Sequence, residues 1–333
     1  MYSYDGLRNA AAGLQPACAA VKHANYLIII KCIKGGYKMN EKQLERMKSG
    51  NGFVAALDQS GGSTPKALRL YGITEDQYAD EEEMFKLVHD MRTRIITCPA
   101  FTSEHILAAI LFKITMNSKI DGKYTADYLW ENKGIVPILK VDAGLDEEKN
   151  GVRLMKPNPG LTDLLKQAKE RNIFGTKMRS FISEPDEEGI RQIVKQQFDT
   201  ARIIIAEGLV PIIEPEVSIE ASEKAKCEQI LHDEILKELD TMGDKDYLMF
   251  KLTLPEQVDL YRDFLDTPCT VRLLALSGGY SQEDANKKLA MNHGMVASFS
   301  RALTEKLFVS QSDAEFEEEM RRSICGIYEA SLS

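Results

Sequence analysis

Six short apolar runs in this chain carry ionisable side chains at or near their C-terminal ends, and these are the residues whose types and spacing could do chemistry. Asp58 closes the run 53–58. Lys140 and Asp142 lie in 136–142, Lys177 and Arg179 in 175–182, Glu214 and Glu216 in 210–216, Lys251 in 247–254, and Arg301 in 296–302. Residues two apart on a strand share a face, so each pair points one way. If all face one cavity, three lysines and at least three carboxylates meet there, and a charge taken from water must be paired or must change its pKa. A single such residue is more often a structural ion pair or an exposed strand end. Six runs with the same habit argue for a shared site.

Lys251 is the most pointed of them, because Tyr247-Leu248-Met249-Phe250 before it and Leu252 after it are otherwise apolar. A lysine desolvated in such a strand, or set beside a second cation such as Lys177, has its pKa lowered and becomes an amine nucleophile. An amine that attacks a carbonyl forms a Schiff base, and a carboxylate such as Glu214 can shuttle protons through dehydration and hydrolysis. Ser277-Gly278-Gly279 precedes a helix start at Ser281-Gln282-Glu283-Asp284, a place where backbone N–H groups favour an anion. Arg301 adds a forked donor nearby if the fold is a barrel. The sequence offers no metal site. After Met39 the histidines His89, His105, His232 and His293 form no HxH or HxxxH pair, and Cys98, Cys227, Cys269 and Cys325 are scattered. No GxSxG, GxGxxG or GxxxxGK[ST] motif is present.

Positioning these residues requires a scaffold. Eight apolar runs, 53–58, 107–113, 136–142, 175–182, 210–216, 247–254, 271–277 and 296–302, alternate with amphipathic stretches. Near-continuous apolar runs suit parallel strands buried on both faces. Thr162-Asp163 and Asp186-Glu187-Glu188 open helical patterns, the second followed by Ile190, Ile193, Val194 and Phe198 at helical spacing. Strand and helix repeated eight times predict an α/β fold, a single (β/α)8 TIM barrel over residues 39–333, with its chemistry at the C-terminal ends of the strands. A doubly wound open sheet is the main competitor, and it usually has fewer strands. The acidic runs 80–83 and 315–319 read as solvated helix faces.

The 333 residues hold 42 Lys+Arg and 51 Asp+Glu, a net charge of -9, which argues against a nucleic-acid partner. Six cysteines without a CxxC pair fit a reducing, cytoplasmic setting. The charge is uneven: residues 1–38 carry five bases and one acid, leaving 37 bases and 50 acids after them. The run Tyr26-Leu27-Ile28-Ile29-Ile30 is far shorter than the ~20 residues of a membrane span, and a signal peptide would place its charges before such a run rather than after it. Residues 1–38 therefore read as a disordered or non-native extension. Lys34-Gly35-Gly36-Tyr37-Lys38, under one choice of codons, encodes a purine-rich bacterial ribosome-binding site ahead of Met39.

From Met39 onward the sequence resembles the class I fructose-1,6-bisphosphate aldolases, the Schiff-base, metal-independent branch, in a shorter bacterial form. The resemblance is carried by Leu57-Asp58-Gln59-Ser60, Leu139-Lys140-Val141-Asp142, Lys177-Met178-Arg179, residues 210–216, Phe250-Lys251, Leu276-Ser277-Gly278-Gly279 and Phe299-Ser300-Arg301-Ala302-Leu303. It implies Lys251 as the Schiff-base nucleophile and Glu214 as the proton shuttle. Asp58 would act at the hydroxyl whose deprotonation drives carbon–carbon cleavage, and Lys177 would tune charge at the cleaved bond. Lys140, Arg179 and Glu216 would support the substrate, with Arg179 near one phosphate and Ser277, Gly278 and Arg301 holding the other. It further implies cleavage of fructose 1,6-bisphosphate to dihydroxyacetone phosphate and glyceraldehyde 3-phosphate in glycolysis and gluconeogenesis, no cofactor, and a homotetramer. The chain departs from the family's pattern at Gln59, often an acid, at Ser300, usually glycine, and at Ser333, where animal enzymes end in tyrosine. Another Schiff-base barrel enzyme, such as a transaldolase or keto-acid aldolase, and a silent sugar-phosphate-binding or adhesive protein are the competing readings. Provision for two phosphates opposes the first, and Lys251, Glu214 and Asp58 together oppose the second.

Overall fold

The computed structural model describes residues 39–59 and 63–333, the side chains of Ser63, Arg301 and Ala302 excepted. These residues belong to the compact unit Met39–Ser333. The expectations for residues 1–38 lie outside the described residues.

Eight strands, β1 Phe53–Leu57, β2 Ile106–Leu111, β3 Val136–Lys140, β4 Gly175–Ile182, β5 Val210–Val217, β6 Leu248–Thr253, β7 Thr270–Leu276 and β8 Met295–Ala297, run parallel in sequence order within one sheet, whose ninth strand, Val152–Arg153, pairs antiparallel with β4. The Ala56 N–H reaches Phe299 O at 3.4 Å, bringing β1 against the end of β8, so the sheet is a nearly closed barrel. β1, β2 and β6 are buried at every position, as strands covered on both faces must be.

Helices wrap the outside: α1 Glu41–Ser49, α2 Ser63–Tyr71, α3 Glu81–Thr97, α4 Lys113–Asn117, α5 Thr125–Lys133, α6 Leu161–Lys169, α7 Glu187–Ala206, α8 Lys224–Leu239, α9 Gln282–Ala290, α10 Arg301–Thr304 and α11 Asp313–Ala330. The Asp186 carboxylate accepts the Gly189 N–H at 2.7 Å and starts α7, whose buried stripe runs through Ile190, Ile193, Val194, Phe198, Ala201 and Ile204. Ser281 caps α9 in the same way.

Two apolar cores result. The larger fills the layer between strands and helices. The smaller lies inside the barrel, where Val54, Ile110, Ile138, Ile212, Met249, Leu274 and Val296 pack together and Met47 of α1 joins them. α1 is fastened to the strand starts by Arg46 on Ser103 O and Ile106 O, and by Arg272 on Met47 O and Gly50 O. Burying Met47 contributes about 2 kcal/mol.

The strand positions expected from sequence match, with two corrections at the ends. β8 stops at Ala297, so Arg301 is the first residue of α10 rather than part of a strand. The Ser298 N–H still reaches Ala275 O, but the Leu303 N–H turns back to Ser300 O, so the chain has begun to coil. Lys113 likewise opens α4, because the Met116 N–H bonds Phe112 O.

Candidate active site

The period of two carries the inward-facing rows of the barrel from apolar to charged. On β5 the row runs Val210, Ile212, Glu214, Glu216, and on β6 it runs Met249, Lys251, Thr253. Apolar side chains fill the lower layers, and the ionisable ones fall at the C-terminal mouth. Four of them meet there. Lys177 Nζ lies 2.6 Å from Asp58 Oδ2 and 2.9 Å from Glu214 Oε2, while Lys251 Nζ lies 2.9 Å from Glu214 Oε1. The Lys177–Glu214 contact is an ion pair outside hydrogen-bond alignment. Lys177, Glu214 and Lys251 are 3%, 3% and 5% exposed, so the cluster has little water to screen it.

Burial alone would raise both carboxyls, yet both are held down. For Asp58 the charges of Lys177, Lys251 and Lys140 outweigh burial and keep its pKa below the usual carboxylate range. For Glu214, Lys177 and Lys251 outweigh burial and the repulsion of Asp58. Burial would lower Lys177, but Asp58, Glu214 and Asp142 hold it above the ordinary lysine value. Lys177 is therefore a fixed cation between two fixed anions.

A second tier surrounds this cluster. Lys140 Nζ donates to Asp142 Oδ1 at 2.6 Å and to Asp142 O at 3.0 Å, and Asp142 Oδ2 accepts the Arg179 N–H at 3.3 Å. Arg179 Nε donates to Glu216 Oε2. Asp58, Gln59, Lys140, Lys177 and Arg179 line a cavity of about 300 Å³. Gln59 also borders a second cavity, about 350 Å³, reached by Glu216, Ser277, Gly278, Gly279 and Ser300. The turn at Ser277 is closed by Tyr280 N–H to Ser277 O at 2.9 Å. Gly278 has φ +57°, and a Cβ there would stand 2.9 Å from Ile219 Cγ2, so a side chain would disturb the loop. The structure thus brings together Asp58, Lys177, Glu214 and Lys251, with Lys140, Arg179 and Glu216 beside them and Ser277 and Gly278 across Gln59. The side chain of Arg301 lies outside the described atoms; its backbone follows Ser300 at the second cavity.

Two buried polar residues next to the site, Arg92 and Gln197, escaped the sequence reading. Arg92 of α3, 2% exposed, donates from Nη1 to Thr115 Oγ1 and from Nη2 to Gln59 O, both at 2.6 Å, and so fixes the residue after Asp58. Burial outweighs the attraction of Asp58 and brings its pKa to about 10. Gln197 of α7 is fully buried between Ser180 and the Glu214 backbone. The signal for both was a polar residue on the apolar stripe of an amphipathic helix, Arg92 among Val88, Met91, Ile95 and Ile96, Gln197 among Ile193, Val194, Phe198 and Ala201.

Among the described residues no group of three or more His, Cys, Asp or Glu is placed to hold a metal ion, and no helix is long and apolar enough to cross a membrane.

The family model described as fructose-bisphosphate aldolase class-I matches residues 40–254, a span that contains Asp58, Lys140, Lys177, Arg179, Glu214, Glu216 and Lys251 but stops before Ser277, Gly278 and Arg301. Among solved structures, fructose-bisphosphate aldolase from Plasmodium falciparum, in complex with TRAP and a small-molecule inhibitor, superposes with a TM-score of 0.70 at 20% identity. It covers 89% of this chain and 96% of its own, a likeness of fold. A Corynebacterium glutamicum protein superposes at 12% identity over 92% of this chain and 96% of its own, with a TM-score of 0.48 that carries no weight.

Proposed function

The chain belongs to the class I fructose-bisphosphate aldolase family, and from that premise we propose that it cleaves fructose 1,6-bisphosphate reversibly to dihydroxyacetone phosphate and glyceraldehyde 3-phosphate through a Schiff base on Lys251. The observation that carries this reading is the buried Lys251–Glu214–Lys177–Asp58 chain of contacts, each link under 3 Å.

The chemistry follows from that order. The Lys251 ammonium gives a proton to Glu214, and the free amine attacks the ketose C2 carbonyl, forming a C–N bond and a carbinolamine. Glu214, now protonated, returns its proton to the leaving hydroxyl, and water departs as the iminium forms. Asp58, ionised at rest, takes the proton of the C4 hydroxyl. The C3–C4 pair moves into the iminium, breaking that bond and leaving an enamine as glyceraldehyde 3-phosphate departs. A carboxylate held as low as Asp58 is a weak base, so the electron sink at the iminium must drive the transfer. Lys177 stays protonated throughout and stabilises negative charge near the breaking bond. Protonation of the enamine and hydrolysis of the iminium free dihydroxyacetone phosphate and restore Lys251.

Two anion sites fit two phosphates. Lys140 and Arg179 border one cavity, and the Ser277–Gly279 turn borders the other with Ser300, the residue before α10. This provision favours a bisphosphate over the monophosphates of other Schiff-base barrel enzymes. The family resemblance further points to a cytoplasmic homotetramer of glycolysis and gluconeogenesis.

Borohydride reduction in the presence of dihydroxyacetone phosphate, followed by peptide mapping, tests the reading. An adduct on Lys251 is expected. No adduct, or cleavage abolished by EDTA, would reject the mechanism, and higher activity on sugar monophosphates than on fructose 1,6-bisphosphate would reject the substrate.

A further inference from the structure

β5 is held unequally on its two sides. Along β4 it pairs from Gly175↔Val210 through Ile182↔Val217, whereas along β6 it pairs at Ile212↔Met249 and Ile213↔Phe250. Sequence explains the opening. The Val217 N–H points toward β6, where it meets Thr253 Oγ1 at 3.0 Å. By the period of two, Pro215 lies on the same edge, and proline has no N–H to give. The seam therefore parts just where Glu214 and Lys251 face each other, and Thr253 closes it again by also donating to Val217 O at 2.7 Å.

A strand loosened on one side needs its remaining fixings, and one of them is a side chain. The Glu214 N–H donates to Gln197 Oε1 at 3.1 Å, and Gln197 Nε2 donates to Ser180 Oγ at 2.7 Å. The amide's orientation follows from chemistry, since a backbone N–H can only donate and must face the carbonyl oxygen. Gln197 and Ser180 are both fully buried, so neither can exchange these bonds for water. The amide comes from α7, outside the barrel wall, and its hydrogen bonds among the described residues go to Ser180 and the Glu214 backbone rather than to an ionised side chain.

We infer that Gln197 is a positioning residue, which fixes the Glu214 backbone so that one carboxylate oxygen meets Lys251 while the other meets Lys177. The inference rests on the Schiff-base reading. Four charged side chains, Lys177, Lys251, Asp58 and Arg179, act on Glu214. If the Glu214 peptide rotates, its carboxylate leaves the two lysines, proton transfer to and from Lys251 slows, and the pH at which Glu214 ionises rises.

Gln197→Leu, Ser180→Ala and the control Ile193→Ala, on the same buried stripe, test this with the full chain. Gln197→Leu is expected to lower kcat and the rate of borohydride-trapped adduct formation by tenfold to a hundredfold, with KM within about threefold. Its acid limb of kcat should move to higher pH. Ser180→Ala, which removes only the amide's second anchor, should change both in the same direction by about threefold. Ile193→Ala should lower the melting temperature and leave the acid limb in place. Wild-type kcat and acid limb in folded Gln197→Leu, or in Ser180→Ala if the leucine variant does not fold, would overturn the inference, as would an equal shift in Ile193→Ala. Failure of the Schiff-base reading is distinguishable, since wild-type protein would then form no adduct on Lys251.

Discussion

Two lysine–glutamate clusters lie at nearly the same depth in this chain and are partnered differently. Lys251 is 5% exposed and Lys224 6%, so burial does not separate them. Lys224 opens α8 and is fully engaged. It contacts Glu228 Oε1, donates to Leu254 O at 2.8 Å and reaches Glu256 Oε1 at 3.2 Å, while Glu228 Oε2 accepts the Glu256 N–H at 3.0 Å. An ammonium has three donors, and all three are used. Lys251 has one ion-pair partner among the described residues, Glu214, which it shares with Lys177. The carboxylates differ in step. Burial raises Glu228 despite Lys224, whereas two lysines pull Glu214 down although it too is buried. A saturated lysine beside a surplus of acids is a brace. A lysine with one ion-pair partner among the described residues, an acid it shares with a second lysine, has donors to spare for a substrate.

The comparison breaks most severely if the two lysines respond alike to substitution. Lys251→Arg keeps a buried cation but removes the proposed nucleophile, because arginine stays protonated and cannot attack. Fructose 1,6-bisphosphate cleavage should fall by on the order of 10⁴-fold or more. Residual wild-type turnover in clean protein would contradict the role given to Lys251.

A smaller effect of another kind is expected at the brace. Lys224→Met leaves Glu228 buried without its main partner and should cost about 3 kcal/mol of stability. Urea midpoints measure this, and kcat at 25 °C should stay within about twofold. An equal loss of kcat in Lys224→Met, with stability intact, would erase the distinction between the clusters.

The gentlest test is acid. Asp58 and Glu214 are depressed in the folded chain, so the stability they contribute is complete above about pH 5, declines as pH falls through the ordinary carboxylate range near 4, and is lost below their folded values. Glu228 is raised, and its contribution has the opposite sign, present at low pH and lost as pH rises through its folded value. Unfolding free energies between pH 5 and 3 should therefore lose up to about 1.4 kcal/mol per pH unit of their slope in Asp58→Asn and become steeper in Glu228→Gln. Identical slopes in both variants would show that the pairing pattern does not set these ionisations.

Much of the fold was legible because strand burial and the period of two leave direct marks. Eight apolar runs lie within one residue or so of eight strands at most ends, and the charged residues fall at their mouths. The misreadings sit at strand exits. Arg301 and Lys113 follow apolar residues and look like strand continuations, but whether a chain extends or coils after leaving a sheet is settled by the next available acceptor, here Ser300 O and Phe112 O. Lys224, Glu228, Arg92 and Gln197 stayed hidden because i,i+4 pairs and amphipathic helices are common, and their spacing alone does not tell a buried polar residue from an exposed one.

By itself the sequence determined the barrel and the identities of the charges that reach its mouth, since apolar period and strand length fix which face is buried and where it ends. Only the tertiary structure decided which charges pair. Glu214 could have faced Arg179, Lys140 or Lys251 by strand position alone. The register of neighbouring strands, the seam that Pro215 opens between β5 and β6, and the amide of Gln197 behind it place Glu214 between two lysines, because Coulomb interactions depend on distances set by chain segments far apart in sequence.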